Sequence, residues 1–238
     1  MNDSRFLIVN ADDFGQSTGV TRGVVEAFKN GIVTSTSAMV RGPAIGDAAK
    51  YSREFPKLSV GLHLDLSEWA CRDDEWVCLY QVVDETNAIA VRDEVSNQLQ
   101  GFRTLFGTEP SHIDSHQHVH MNEPLRSIAL ETAEQIGIPL RQVTKDVRYC
   151  GSFYGQSSDG HPNHEAITVD SLIEILRGLP VGVTELACHP AFGEDIEGMY
   201  VRERSLELRT LCDPRVRQAI DELGIHLASF ADIANISE

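Results

Sequence analysis

The chain has 238 residues, 42% hydrophobic and 24% charged, an ordinary balance for a globular fold with a sizeable core. Lys and Arg number 20 and Asp and Glu 36, leaving a formal net charge of −16 at pH 7. That acidity argues against partners held through phosphates, so neither nucleic acid nor an anionic membrane surface is expected, and its plain consequence is solubility.

Phe6 to Val9 reads as a strand leading straight to Asp12 and Asp13, so no secretory leader is expected ahead of the fold. Nor does any apolar run approach the roughly 18 residues that span a bilayer. Gly19 to Asn30 places Val20, Val24, Ala27 and Phe28 at helical spacing. Thr34 to Val40 is strand-like, Ile45 to Phe55 is a helix stopped by Pro56, and Leu58 to Leu64 is the third strand. Arg92 to Phe106 sets Val95, Leu99, Phe102 and Phe106 on one helical face. His112 to Ser115 is a short strand, Pro124 to Ile136 a helix closed by Gly137, and Ile138 to Gln142 another strand. Val169 to Leu176 is helical, Val181 to Cys188 a strand, Val201 to Leu223 a helix broken near Pro214, and Ile225 to Ser229 the last strand. Ser67 to Ala90 and Asp146 to Ile167 fit no element, and their aromatic content suits ordered lids.

Alternating strands and helices imply a mostly parallel sheet, either closed as a barrel or open and doubly wound. No composition break divides the chain, so one domain over residues 1–238 is expected. Cys71, Cys78, Cys150, Cys188 and Cys212 include no C-x-x-C pair, and reduced thiols in a cytoplasmic protein are the simplest account.

Four polar clusters each follow a predicted strand: Asp12 and Asp13, His63, the run His112 to His120, and His189. In parallel α/β barrels the carboxyl ends of the strands form the face where sites are built. Singly, an Asp pair is often a turn or helix cap, and His63 or His189 a satisfied core histidine. The run from His112 to His120 is harder to dismiss. Its His112, Asp114, His116, His118 and His120 alternate, so an extended chain points them to one side, where imidazoles and carboxylates make a ready metal site.

In this order the motifs resemble the YdjC-like carbohydrate deacetylases. They are Asn10 to Gly15 (NADDFG), Asn30 to Thr36, Gly61 to Leu64, His112 to His120, and Cys188 to Ala191, in a match running from about residue 6 to 230. The resemblance implies a distorted (β/α) barrel of about seven mostly parallel strands. It also implies a divalent metal on Asp13, His63 and His116, with Asp12 as general base and His189 as general acid. A homodimer is a common state among such proteins. Gln117 stands where some members carry histidine, and Ser67 to Ala90 and Arg148 to Ile167 depart from the chitobiose enzymes.

Such a site suits hydrolysis of the acetamide of an N-acetylated sugar, a small-molecule substrate. One Asp and two His ligands leave positions for a water and for the acetyl carbonyl oxygen. Two imidazoles favour Zn²⁺ or Co²⁺ over Mg²⁺, and the ion's identity stays open. Asp114 is placed to orient a ligand histidine, and His118 and His120 stay open as alternative ligands to His116. Trp69 and Trp76, with Tyr80, offer flat faces for sugar rings; a hydrophobic lid or a dimer contact is the competing reading. Arg141 is grouped with them as a substrate contact, with holding Asp12 or lying on the surface as its other roles. Two other functions compete. A metallo-phosphoesterase calls for a richer ligand set and basic residues for phosphate, and a non-catalytic sugar-binding protein would lack Asp12 or His189.

Overall fold

The computed structural model describes residues 4–72, 75–196 and 199–236, so residues 1–3, on which the expectation about a leader partly rests, lie outside it. In chain order the elements are β1 (Arg5–Phe14), α1 (Thr18–Asn30), β2 (Ser35–Ala38), α2 (Ile45–Glu54), β3 (Ser59–Leu64), β4 (Ser67–Arg72), β5 (Glu75–Gln81), α3 (Ala88–Phe106) and β6 (Ile113–Ser115). They continue with α4 (Leu125–Ile136), β7 (Val147–Cys150), α5 (Val169–Arg177), β8 (Gly182–Cys188), α6 (Val201–Leu211), α7 (Pro214–Glu222), β9 (Ile225–Ala228) and α8 (Ile233–Ile236).

Seven strands form one curled sheet in the order β6-β3-β2-β1-β8-β7, with β9 added against β1, and every pairing in it is parallel. The result is a half-barrel wrapped by helices, the barrel alternative of the two topologies. β1 is its axis. β8 runs along one edge from Arg5 to Ala11, while the other edge is shared, β9 pairing Arg5 to Ile8 and β2 pairing from Asn10 onward. Leu7, Val9, Ala11 and Phe14 of β1 are fully buried in the main core. A strand buried on both faces reads as a continuous apolar run, which is how Phe6 to Val9 announces itself.

The helices end where their sequences say. Gly107 and Gly137 take positive φ angles of 75° and 73° and close α3 and α4. The predicted helix from Val201 to Leu223 is two helices, because Asp213 caps Arg215 N and Pro214 occupies the first turn of α7. Three expectations need correction. Ile138 to Gln142 makes a single bridge, Leu140 to Ile113, and no strand. Ser67 to Ala90 contains the antiparallel hairpin of β4 and β5, and β7 lies within Asp146 to Ile167. Every described side chain of β5 is exposed, so it carries no alternation to reveal it. β7 is only four residues long.

Gly61 is required by close packing. A Cβ there would lie 2.3 Å from the His112 ring. That ring is fixed by Ser37 Oγ at 2.9 Å, by Ser111 Oγ at 3.0 Å, and by stacking on Phe230 with centroids 3.8 Å apart. Gly61→Ala is therefore expected to cost about 1–3 kcal/mol through overpacking. Thermal unfolding should show a midpoint lowered by about 3–8 °C; an unchanged midpoint would mean that His112 is free to move.

Candidate active site

The site is built on the carboxyl ends of β1, β3, β6 and β8. β1 loses regular register between Ala11 and Phe14, and Asp13 adopts φ = 69°. This left-handed residue, rare outside glycine, points the adjacent carboxylates in different directions. Asp12 turns to Arg141, whose Nη1 donates to its two oxygens at 2.9 and 2.8 Å, and Asn10 Nδ2 donates to Asp12 Oδ1 at 2.8 Å. Asp13 turns to the histidines. Its Oδ1 lies 3.3 Å from His63 Nε2 and 3.1 Å from His116 Nδ1, while Oδ2 accepts from Arg204 Nη2 at 2.6 Å.

His63 is held by its far nitrogen. Nδ1 donates to Asp114 Oδ1 at 2.7 Å, which turns Nε2 toward Asp13. Asp114 Oδ2 in turn accepts from Ser37 Oγ and from Arg141 Nη1, both at 2.7 Å. Asp13, His63 and His116 are thus grouped as one buried set of donors that could hold a metal. Bonds of about 2.0–2.2 Å to one centre set ligand atoms roughly 3–3.5 Å apart, and the spacings here match. Asp12, His63 and Asp114 also lie within ligand reach of one another, but Arg141 already occupies the space between those two carboxylates.

His189, at the end of β8, has Nε2 3.7 Å from Asp12 Oδ2. Both border a cavity of about 540 Å³ that Asp13 and His116 also line. Its walls include Trp69 and Trp76 from the hairpin, Tyr149 from β7, and Phe153 and Tyr154 from the stretch after β7. Gln117 fastens the hairpin to this wall, accepting from Trp69 N at 2.9 Å and donating to Trp69 O at 2.7 Å.

Burial and charge set the ionisation. Burial pushes Asp12 up, but Arg141, His189 and His63 together outweigh it and the carboxyl stays below its ordinary range. Asp13 and Asp114 are likewise raised by burial, yet Arg204 for the first and His63 for the second bring each well below that range. Burial pushes His189 down to about 4 against the pull of Asp12 and Asp13. Burial also pushes Glu185 and Glu207 up to about 8 each, despite Arg141 beside Glu185 and the Tyr200 hydroxyl on Glu207.

A family model described as YdjC-like protein matches residues 6–222. The chain belongs to the YdjC-like family. Curated relatives of this YdjC-like chain include chitooligosaccharide deacetylases of Salmonella schwarzengrund (strain CVM19633) and Salmonella typhimurium, 38% and 37% identical, each over 96% of this chain and 99% of the relative. Among solved structures, an Enterococcus faecalis V583 protein named for cellobiose-phosphate cleavage aligns with a TM-score of 0.78 and 28% identity, covering 97% of this chain and 99% of that one. A family 4 carbohydrate esterase of Streptomyces lividans aligns at 0.56 with 14% identity, over 94% and 92% of the two chains, a likeness of fold.

The structure brings Asp12, Asp13, His63, His116 and His189 together and sets Trp69 and Trp76 on the cavity wall. Arg141 is different. Its side chain is 0% exposed and lies behind the carboxylates, ion-paired with Asp12 and Asp114 and in contact with Glu185, so it is not a substrate contact. The one-sided histidine ladder also fails beyond His116. His112 and Asp114 do share Ser37, but Gln117 and His118 take φ of 50° and 55° and the chain coils. His120 folds back to Ser115 Oγ at 2.7 Å and the Arg141 carbonyl at 3.2 Å, and His118 meets Tyr149 Oη at 3.2 Å. Arg204, Glu185 and Glu207 escape the sequence reading. Glu185 alone left a signal, as the one acid inside the apolar strand β8. On α6, Glu203, Arg204 and Glu207 look like a solvated helix face, and all are buried.

The buried acids give stability a pH sign. Glu185 and Glu207 hold protons in the folded state far above their ordinary value, and His63 behaves alike, because burial lowers it but Asp114, Asp13 and Asp12 together raise it further. Their stabilising contribution is complete below the unfolded pKa values and is lost as pH rises toward the folded ones. His112, His120 and His189, each near 4, act oppositely but only below about 6.5. Chelated protein in urea should therefore lose stability between about pH 6.5 and 8, on the order of 1–2 kcal/mol per glutamate. Glu185→Gln should flatten that slope; stability that rises across the window would contradict these assignments.

Proposed function

We propose that this chain, as one domain over residues 1–238, is a metal-dependent deacetylase that hydrolyses the acetamide of an N-acetylated sugar. The observation that carries the reading is the grouping of Asp13, His63 and His116 beside Asp12 and His189 on one aromatic-walled cavity. The curated relatives, named chitooligosaccharide deacetylases and matching over nearly the whole chain, support N-acetylglucosamine oligosaccharides as the substrate class.

Asp13 Oδ1, His63 Nε2 and His116 would hold the ion, and two imidazoles with one carboxylate suit Zn²⁺ better than Mg²⁺. A divalent cation there supplies a Lewis acid for the acetyl carbonyl and lowers the pKa of water toward 7. Asp12, kept ionised by Arg141, accepts the proton of the attacking water. His189 gives a proton to the sugar nitrogen as the C–N bond breaks, since an amide anion is too poor a leaving group. After the amine and acetate depart, the proton on Asp12 faces His189 Nε2 across 3.7 Å and can reset the acid. Trp69, Trp76 and Tyr154 offer faces for sugar rings.

The reading includes a homodimer, for which the exposed Trp76, Val77, Leu79 and Tyr80 of β5 offer a contact. It also includes a cytoplasmic setting, in keeping with five free thiols. No helix among the described residues is long and apolar enough to cross a membrane.

Acetate release from N,N′-diacetylchitobiose tests the reading. It should cease on chelation and return with one added metal, and Asp12→Asn should retain the metal while kcat falls about 10²–10⁴-fold. Wild-type rates in that variant would overturn the base assignment. Metal-loaded wild-type protein that releases no acetate from any N-acetylated sugar would overturn the reaction.

A further inference from the structure

The imidazole of His189 presents only one nitrogen to the cavity side. Nε2 faces Asp12, while Nδ1 is buried and has no hydrogen-bond partner among the described residues. A buried ring nitrogen left alone is costly, and the nearest polar group to it decides what it is for. That group is Glu207, in the middle of α6, whose Oε1 lies 3.9 Å from Nδ1. A small rotation of the ring closes this distance to a hydrogen bond.

Glu207 is itself fully buried and rigidly placed. One carboxyl oxygen accepts from the backbone N–H of His189, the other from the Tyr200 hydroxyl, and Tyr200 accepts from Gly155 N. The Tyr200 hydroxyl is the donor to Glu207. The two carboxyl oxygens are held in place by β8, α6 and the stretch after β7. Tyr154 stacks on Tyr200 with centroids 4.6 Å apart, and both rings meet His189 edge-on.

We propose that Glu207 is a positioning residue that feeds a proton through His189 to the leaving nitrogen. Resting on the deacetylase reading, the relay balances as follows. As the C–N bond breaks, the Nε2–H bond of His189 breaks and an N–H bond forms on the sugar nitrogen. The Glu207 O–H bond breaks together with it and an Nδ1–H bond forms. His189 stays neutral throughout, and Glu207 ends as a carboxylate until the proton that Asp12 took from water passes to Nε2 and the Nδ1 proton returns to Glu207. Burial supports this order, since it favours the protonated carboxyl at Glu207 and the neutral ring at His189. The groups that act on Glu207 are Tyr200 and Arg204 on and just before α6, His189 and Cys188 from β8, Tyr154 from the stretch after β7, and Asp12 from β1.

Glu207→Gln tests the relay, because its amide can still donate to Nδ1 yet has no proton to give. In zinc-loaded protein, kcat should fall about 10²–10⁴-fold with KM within about threefold. The alkaline limb of the kcat profile, near pH 8 in wild type, should disappear, and Glu207→Asp should restore part of the rate. A kcat within about threefold of wild type, or an alkaline limb that stays in place, overturns the proposal. A second measurement needs no variant: ¹⁵N NMR of His189 in zinc-loaded wild-type protein should show Nε2 protonated and Nδ1 bare below pH 8. A protonated Nδ1 overturns the relay, whereas absent acetate release alone sinks the deacetylase reading and leaves the Glu207–His189 pair standing.

Discussion

A single guanidinium organises the centre of this protein. Arg141, with no exposed side-chain surface, sits among Asp12, Asp114 and Glu185. A buried charge without partners is strongly unfavourable, so these four residues stand or fall together. Around them the ionic count closes. Arg141, His63 and Arg204 face Asp12, Asp13 and Asp114, while Glu185 and Glu207 stay protonated near neutral pH. Three positive groups answer three negative ones on the buried floor of the site.

That balance explains how adjacent aspartates do different work. The bulge at the end of β1 sends Asp12 toward Arg141 and Asp13 toward the two histidines. Arg141 also reaches the metal side indirectly, through Asp114, which fixes the ring of His63. A divalent cation bound there would take the place of the proton His63 otherwise carries, so metal uptake and protonation would compete at one nitrogen. The β4–β5 hairpin and the stretch after β7 form aromatic walls above this charged floor.

Much of this was legible in the sequence because the relevant signals are local. Apolar runs ending in Asp12, His63 or His189 mark strands whose carboxyl ends converge, and parallel pairing does the rest. What escaped is non-local. Alternation predicted a histidine ladder, but the backbone at Gln117 and His118 turns left-handed and disperses it. Arg141 looked equally like a surface residue, since nothing nearby in sequence shows that three carboxylates from β1, β6 and β8 enclose it. Glu207 and Arg204 read as a solvated face of α6 for the same reason.

The most direct test of the account is the pH dependence of kcat/KM in Arg141→Lys, with metal affinity measured alongside. A lysine ammonium is a point charge that cannot bridge two carboxylates as the guanidinium does. The account predicts an acidic limb moved up by about one pH unit as Asp12 loses its partner. Metal affinity should stay within a few-fold, because Asp13 is held by Arg204 instead. An acidic limb identical to wild type, in a folded and metal-loaded variant, would contradict the claim that Arg141 keeps Asp12 ionised.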